Sequence, residues 1–251
     1  MPDSTKKDIL VVGNWKMQIS LKEGRELAHT LETEITDEEG KVVVCPPFTQ
    51  LAAIKANIHK IHLGGQDLFW ETTGAYTGEI SGEMLREIGC EYVIVGHSER
   101  REYLGETDLM VGKKMRAAKR SGLIPILCVG ESLLQREKNQ TLEVVERELL
   151  AALEGIDAST NLVIAYEPIW AIGAGQTVEP KEAEMVLHYL RQLISKKYNE
   201  KTASQSRMLY GGSVDGENVT AFTNQKNIDG FLVGGASIDA GEFIKIVKAA
   251  M

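Results

Sequence analysis

Apolar residues along this chain gather into eight short runs, at 9–12, 42–45, 61–63, 92–95, 124–128, 162–165, 208–210 and 230–233. Several are nearly continuous Val, Ile and Leu rather than apolar–polar alternations. Such runs suit strands buried on both faces, as in a parallel sheet covered by helices. Between them the period changes, and segments 21–33, 107–121, 133–153, 181–197 and 219–223 take on helical character. In 181–197, Ala183, Val186, Leu187, Leu190 and Ile194 recur at three- or four-residue steps, while Lys181, Glu184, Arg191 and Lys197 fall on wetter faces. Glu179-Pro180 suits the start of that helix, where the missing proline N–H is tolerated. Gly122 suits the end of 107–121, by taking a positive φ. The order is strand, crossover, strand, repeated at roughly 30 residues per unit, which favours closure into a barrel. The expected fold is α/β: a single-domain, eight-stranded parallel β/α barrel over residues 1–251, with an open doubly wound sheet as the second architecture.

Composition narrows the class. No break in charge or glycine content and no low-complexity tract divides the 251 residues. The formal charge of −8 disfavours general attraction to nucleic acid and leaves a local anion site open. The opening Met1-Pro2-Asp3-Ser4-Thr5-Lys6-Lys7 and the short apolar run after it predict neither a signal peptide nor a membrane span, so a soluble, cytoplasmic protein is expected. Cys45, Cys90 and Cys128 are odd in number and lack paired metal-like spacing. That favours reduced thiols over a disulfide framework or a zinc site, and no metal is expected.

The candidate chemistry lies just beyond the apolar runs. In a β/α barrel, side chains at the carboxyl ends of the strands converge on one rim, so residues distant in sequence share a pocket. Gly13-Asn14-Trp15-Lys16-Met17 offers an ammonium for an anionic substrate and its developing oxyanion, an amide from Asn14, and an indole that anchors the loop. Gly96-His97-Ser98-Glu99-Arg100-Arg101 offers an imidazole, with Glu99 read as an orienting group and both arginines as structural. Glu167 ends a third run and opens a loop of distinctive make-up. Pro168, Ile169 and Trp170 form a stiff boundary, Ala171, Ile172, Gly173, Ala174 and Gly175 a compact tip, and Gln176, Thr177 and Val178 a second boundary. A lid hinged at both ends would desolvate Glu167 and raise its basicity while substrate is bound. Tyr210-Gly211-Gly212-Ser213 and Leu232-Val233-Gly234-Gly235-Ala236-Ser237 follow the last two runs, where barrel loops frequently build a phosphate site from backbone amides.

Five ordered stretches, Gly-Asn-Trp-Lys-Met, Gly-His-Ser-Glu-Arg-Arg, Tyr-Glu-Pro-Ile-Trp-Ala-Ile-Gly-Ala-Gly, Tyr-Gly-Gly-Ser-Val and Gly-Phe-Leu-Val-Gly-Gly-Ala-Ser, make nearly the whole chain resemble the triosephosphate isomerase family. The resemblance implies interconversion of dihydroxyacetone phosphate and D-glyceraldehyde 3-phosphate in glycolysis and gluconeogenesis, with neither an organic cofactor nor a metal. It implies Glu167 as the base of an enediolate mechanism and His97, as neutral imidazole, as the electrophile. Lys16 then supplies positive charge, Asn14 helps polarise the substrate, and Glu99 organises Lys16. Gly173, Ser213, Gly234 and Gly235 match phosphate-binding positions, Ile172 and Leu232 cover Glu167 on closure, and Tyr210 and Ser213 help latch the lid. Ala174 departs from the family, many members of which have Thr there, so altered loop kinetics are expected at most. Cys128 reads as a packing residue.

The long segment from Gln66 to Glu83 reads as a functional loop. The resemblance implies a homodimer in which this loop enters the partner subunit and Thr77 approaches the other active site. Two other readings stand beside this one: a different phosphate-binding barrel enzyme, which would share the glycine-rich loops without this Lys16, His97 and Glu167 combination, and a noncatalytic binding scaffold.

Overall fold

The computed structural model describes residues 9–36, 41–157, 162–172 and 178–251. Eight parallel strands close into a barrel in sequence order: β1 (Leu10–Asn14), β2 (Lys41–Cys45), β3 (His62–Gly65), β4 (Tyr92–Val95), β5 (Ile124–Val129), β6 (Val163–Tyr166), β7 (Arg207–Tyr210) and β8 (Gly230–Val233). The open doubly wound sheet is thereby excluded. Register across the closing seam runs Leu10↔Gly230 to Gly13↔Val233. Glycine is required there, because a Cβ on Gly230 would lie 1.9 Å from the Leu10 carbonyl oxygen.

Eleven α-helices surround the strands among the described residues: α1 (Leu21–Glu34), α2 (Leu51–Lys55), α3 (Gly82–Ile88), α4 (Ser98–Leu104), α5 (Asp108–Arg120), α6 (Leu133–Glu137), α7 (Thr141–Ala152), α8 (Pro180–Lys197), α9 (Glu200–Gln205), α10 (Val219–Thr223) and α11 (Ala240–Ala250). Local sequence sets their ends. Ser20 and Glu23 cap α1 reciprocally, Pro180 opens α8, and Gly122 turns away after α5 at φ +73°. Strand residues alternate between two cores. Leu10, Val12, Ile94, Ile126, Cys128, Ala165 and Leu232 fill the barrel interior. Val11, Val93, Leu127, Ile164 and Phe231 face outward and pack with Leu27, Met115, Leu149, Leu190 and Phe243 of the helices. Each such aliphatic side chain contributes about 1.5–3 kcal/mol when fully buried.

Several sequence boundaries are corrected. The segment 133–153 is two helices, because Asn139 adopts φ +57° between α6 and α7. β1 runs on to Asn14 and β3 to Gly65, since backbone pairing continues past the last apolar side chain. The segment 66–83 ends inside α3, which starts at Gly82 on a Ser81 cap. No helix among the described residues is long and apolar enough to cross a membrane.

Candidate active site

The carboxyl ends of β1, β4, β6, β7 and β8 surround a cavity of about 400 Å³, within the range of small-molecule sites. Asn14, Lys16, His97, Glu167, Ile172, Ser213, Leu232, Gly234 and Gly235 all line it. Gly173, Ala174, Gly175, Gln176 and Thr177 lie outside the described residues.

Lys16 is held in an unusual backbone pose. Its φ of +51° is left-handed, which costs an ordinary L-residue roughly 1–2 kcal/mol. Asn14 Oδ1 accepts the Lys16 N–H at 3.1 Å, and Gln66 Nε2 donates to the carbonyls of Lys16 at 2.9 Å and of Cys45 at 2.8 Å. The ammonium then binds Glu99 Oε1 at 2.5 Å. A Cβ on Gly234 would sit 3.6 Å from Lys16 Nζ, so the cation borders the β8 loop. Gly235, which opens a 3-10 turn at Gly235–Ile238, has free space on its Cβ side. An anion placed there meets a cation and exposed backbone together.

His97 caps α4. Its Nδ1 accepts the Glu99 N–H at 3.2 Å, which leaves the ring proton of a neutral imidazole on Nε2. Nε2 lies 3.0 Å from Glu167 Oε1. The other carboxylate oxygen accepts the Ser98 N–H at 2.9 Å, and the group is 2% exposed. Both oxygens of Glu167 are thus engaged on the wall of the cavity. Glycines on the strand ends permit this crowding: a Cβ on Gly211 would approach Glu167 Cγ to 3.0 Å, and one on Gly212 would reach the Tyr210 hydroxyl at 2.2 Å. Cys128 faces the barrel interior nearby, and burial reinforced by Glu167 pushes its thiol upward. It remains a protonated packing group, as read from sequence.

The segment that follows Glu167 is clamped. Pro168 leads into a 3-10 turn at Ile169–Ala171, with Ala171 fully buried. Trp170 Nε1 donates to the buried Glu131 Oε1 at 2.8 Å, Tyr166 donates to the same oxygen at 3.2 Å, and the Arg136 guanidinium covers the Trp170 ring at 3.9 Å. Arg136 also binds Glu182 in the first turn of α8. Val178 is buried, with its backbone beside the hydroxyl of Tyr210, which stacks on Phe222 at 4.4 Å.

Sequence reasoning missed Gln66, Ser98 and Glu131 as parts of this site. Gln66 carried a usable signal, since it directly follows β3, much as Lys16, His97 and Glu167 lie within two residues of the ends of β1, β4 and β6. Ser98 acts through its backbone N–H, and Glu131 reads from sequence as an ordinary loop carboxylate. Among the described residues, no group of three or more His, Cys, Asp or Glu side chains is placed to hold a metal ion.

An imidazole against a carboxylate, beside a cation and the glycine-rich loops after β7 and β8, at the carboxyl rim of a closed barrel, is the arrangement of a β/α-barrel enzyme with a site for small anionic molecules. Comparison with known proteins makes the assignment specific. A sequence model of the triosephosphate isomerase family matches residues 9–250, and the chain belongs to that family. It is 50% identical to the triosephosphate isomerase of Moorella thermoacetica over 243 residues, covering 95% of this chain and 97% of that protein. Similarity extends to the triosephosphate isomerases of Thermoanaerobacter pseudethanolicus, at 50% identity over 95% of this chain and 98% of the relative, and of Rhodopirellula baltica, at 44% over 96% and 97%.

Proposed function

We propose that this chain interconverts dihydroxyacetone phosphate and D-glyceraldehyde 3-phosphate, with Glu167 as base and His97 as electrophile. The family assignment supports the reaction, and the 3.0 Å contact between His97 Nε2 and Glu167 Oε1 in the cation-lined cavity carries the assignment of roles. Substrate phosphate takes the Gly234–Gly235 cradle with Ser213 and Gly173, and its charge is met by Lys16. Substrate draws Glu167 off Ser98 and His97, so the freed carboxylate abstracts a proton from the carbon next to the carbonyl. His97 Nε2–H donates to the carbonyl oxygen as charge develops there, and Lys16 and Asn14 stabilise the enediolate. The proton returns to the adjacent carbon while His97 moves a proton between the two oxygens. No metal or organic cofactor takes part in this scheme. Closure of lid 168–178 brings Ile172 over Glu167 opposite Leu232 and excludes water from the intermediate.

The working unit is a single-domain protomer of a cytoplasmic homodimer. The segment after Gln66 packs on itself, with the Phe69 ring centroid 4.1 Å from that of Trp70 and 4.6 Å from that of Tyr76 in tilted contacts, and with Thr77 exposed. Beside the site lies a second cavity of about 310 Å³, lined by Lys16, Met17, Gln66, Glu99, Tyr103 and Leu104 among others. Met17, Tyr103 and Leu104 are exposed at its rim, as an apolar contact surface for that segment of a second copy would be. Isomerisation in heavy water tests the reaction. Deuterium at the substrate carbon, read by NMR, is the expected outcome; no conversion of either triose phosphate by the folded protein would overturn the proposal.

A further inference from the structure

Two buried or half-buried charges that the proposed chemistry leaves unused, Arg101 on α4 and Glu148 on α7, reach the backbone beside both reacting groups. Arg101 Nε donates to the carbonyl of Gly96, the residue before His97, at 2.9 Å. Glu148 Oε2 accepts the N–H of Gly130 at 3.0 Å. The peptide group bearing that N–H also bears the Val129 carbonyl, which accepts the Glu167 N–H at 2.8 Å. One planar peptide therefore stands between Glu148 and the backbone of Glu167. The packing around it is close: a Cβ on Gly130 would fall 1.7 Å from the Glu167 carbonyl oxygen.

The two charges also face each other. Arg101 Nη1 lies 3.9 Å from Glu148 Oε1 and is fixed on Asp108 Oδ1 at 2.7 Å, while Arg147 Nη2 lies 3.4 Å from Glu148 Oε1. The pair thus spans from the end of β4, which presents His97, to the end of β5, on which Glu167 is hung. We propose that Arg101 and Glu148 are positioning residues for catalysis, a brace that fixes the separation of His97 and Glu167. The inference rests on the base and electrophile roles assigned above. Rate responds steeply to such geometry, since a misplacement of about 1 Å can cost on the order of 100-fold. Phosphate binding is separate, because Lys16 and the Gly234–Gly235 cradle make no hydrogen bond to either member of the brace.

The test is steady-state kinetics per folded site on the full-length protein, with inhibition by inorganic phosphate and thermal unfolding measured in parallel. Glu148→Ala is expected to lower kcat by ~10-fold or more, with KM and phosphate inhibition within about twofold of wild type. Glu148→Gln keeps an acceptor for the Gly130 N–H and is expected to restore most of kcat. Arg101→Lys, which keeps the charge and loses the Nε bond, should repeat the selective loss, and it carries the test if Glu148→Ala does not fold. Wild-type kcat in Glu148→Ala or Arg101→Lys, even at a lowered Tm, overturns the brace. Glu167→Gln serves as the control. If it is inactive while the brace variants are normal, the brace alone fails; if it is fully active, the base assignment fails and takes the brace with it.

Discussion

Replacing Gln66 with glutamate exchanges one nitrogen for an oxygen and reverses a hydrogen-bonding role. Gln66 Nε2 is a donor to two backbone carbonyls, those of Lys16 and Cys45, at 2.9 and 2.8 Å. An ionised carboxylate in its place presents an acceptor to both. Each lost bond is worth ~1 kcal/mol net; the Cys45 carbonyl still accepts the Trp15 N–H at 3.1 Å, whereas the Lys16 carbonyl is left without a donor at a further ~1–3 kcal/mol, so Gln66→Glu is expected to cost about 3–5 kcal/mol. Lys16 Nζ offers little relief, because it is already bound to Glu99 at 2.5 Å. The left-handed Lys16 backbone also loses one of its two restraints. At roughly 2–4 °C per kcal/mol for a domain of this size, Tm should fall by about 6–20 °C. The effect carries a pH signature. The native state needs the introduced carboxyl as a donor, which raises its pKa above the unfolded value of about 4.3. The native state then binds more protons than the unfolded one, so the deficit shrinks as pH falls through the raised pKa and is largest at high pH. Calorimetry of both proteins from pH 5 to pH 9 measures this. A variant Tm within about 2 °C of wild type at the alkaline end would refute the reasoning.

Three further outcomes follow from the same structure. Lys16→Ala should raise KM and weaken inhibition by inorganic phosphate, because it removes the cation bordering the Gly234 loop; unchanged phosphate affinity would remove Lys16 from the anion site. Asp67 is pushed up to about 6, chiefly by burial, with Lys114 opposing. Its native pKa thus exceeds the unfolded value, so the stability of wild type relative to Asp67→Asn should fall as pH rises from about 4 to about 6, as read from paired denaturant titrations; a rising difference would contradict the assignment. Light scattering at micromolar concentration should report a dimer, and a fully active monomer would count against the loop-exchange assembly.

The barrel was legible because its strands are continuous apolar runs such as Val42-Val43-Val44 and Tyr92-Val93-Ile94-Val95, which little else in a soluble chain explains. Their ends were less so. Asn14, Gly64, Gly65 and Arg207 join the ladder through backbone pairing, which side-chain patterning does not record. The break between α6 and α7 was hidden because leucines continue across it while Asn139 alone reverses the backbone. Lys16, His97 and Glu167 were readable because each lies within four residues of the end of an apolar run. Glu131, Glu148 and Lys114 were not, since charged residues in loops and helices normally face solvent. Their burial arises from partners distant in sequence: Trp170 for Glu131, Gly130 for Glu148 and Asp67 for Lys114.

The central claim is that Glu167 removes the carbon-bound proton, and the most direct measurement compares kcat of wild type and Glu167→Gln on D-glyceraldehyde 3-phosphate, with phosphate inhibition as the control for an intact site. The substitution keeps volume and removes the proton acceptor. The account predicts a fall in kcat of on the order of 100- to 10,000-fold with phosphate affinity retained. A Glu167→Gln protein that turns over at the wild-type rate would contradict it.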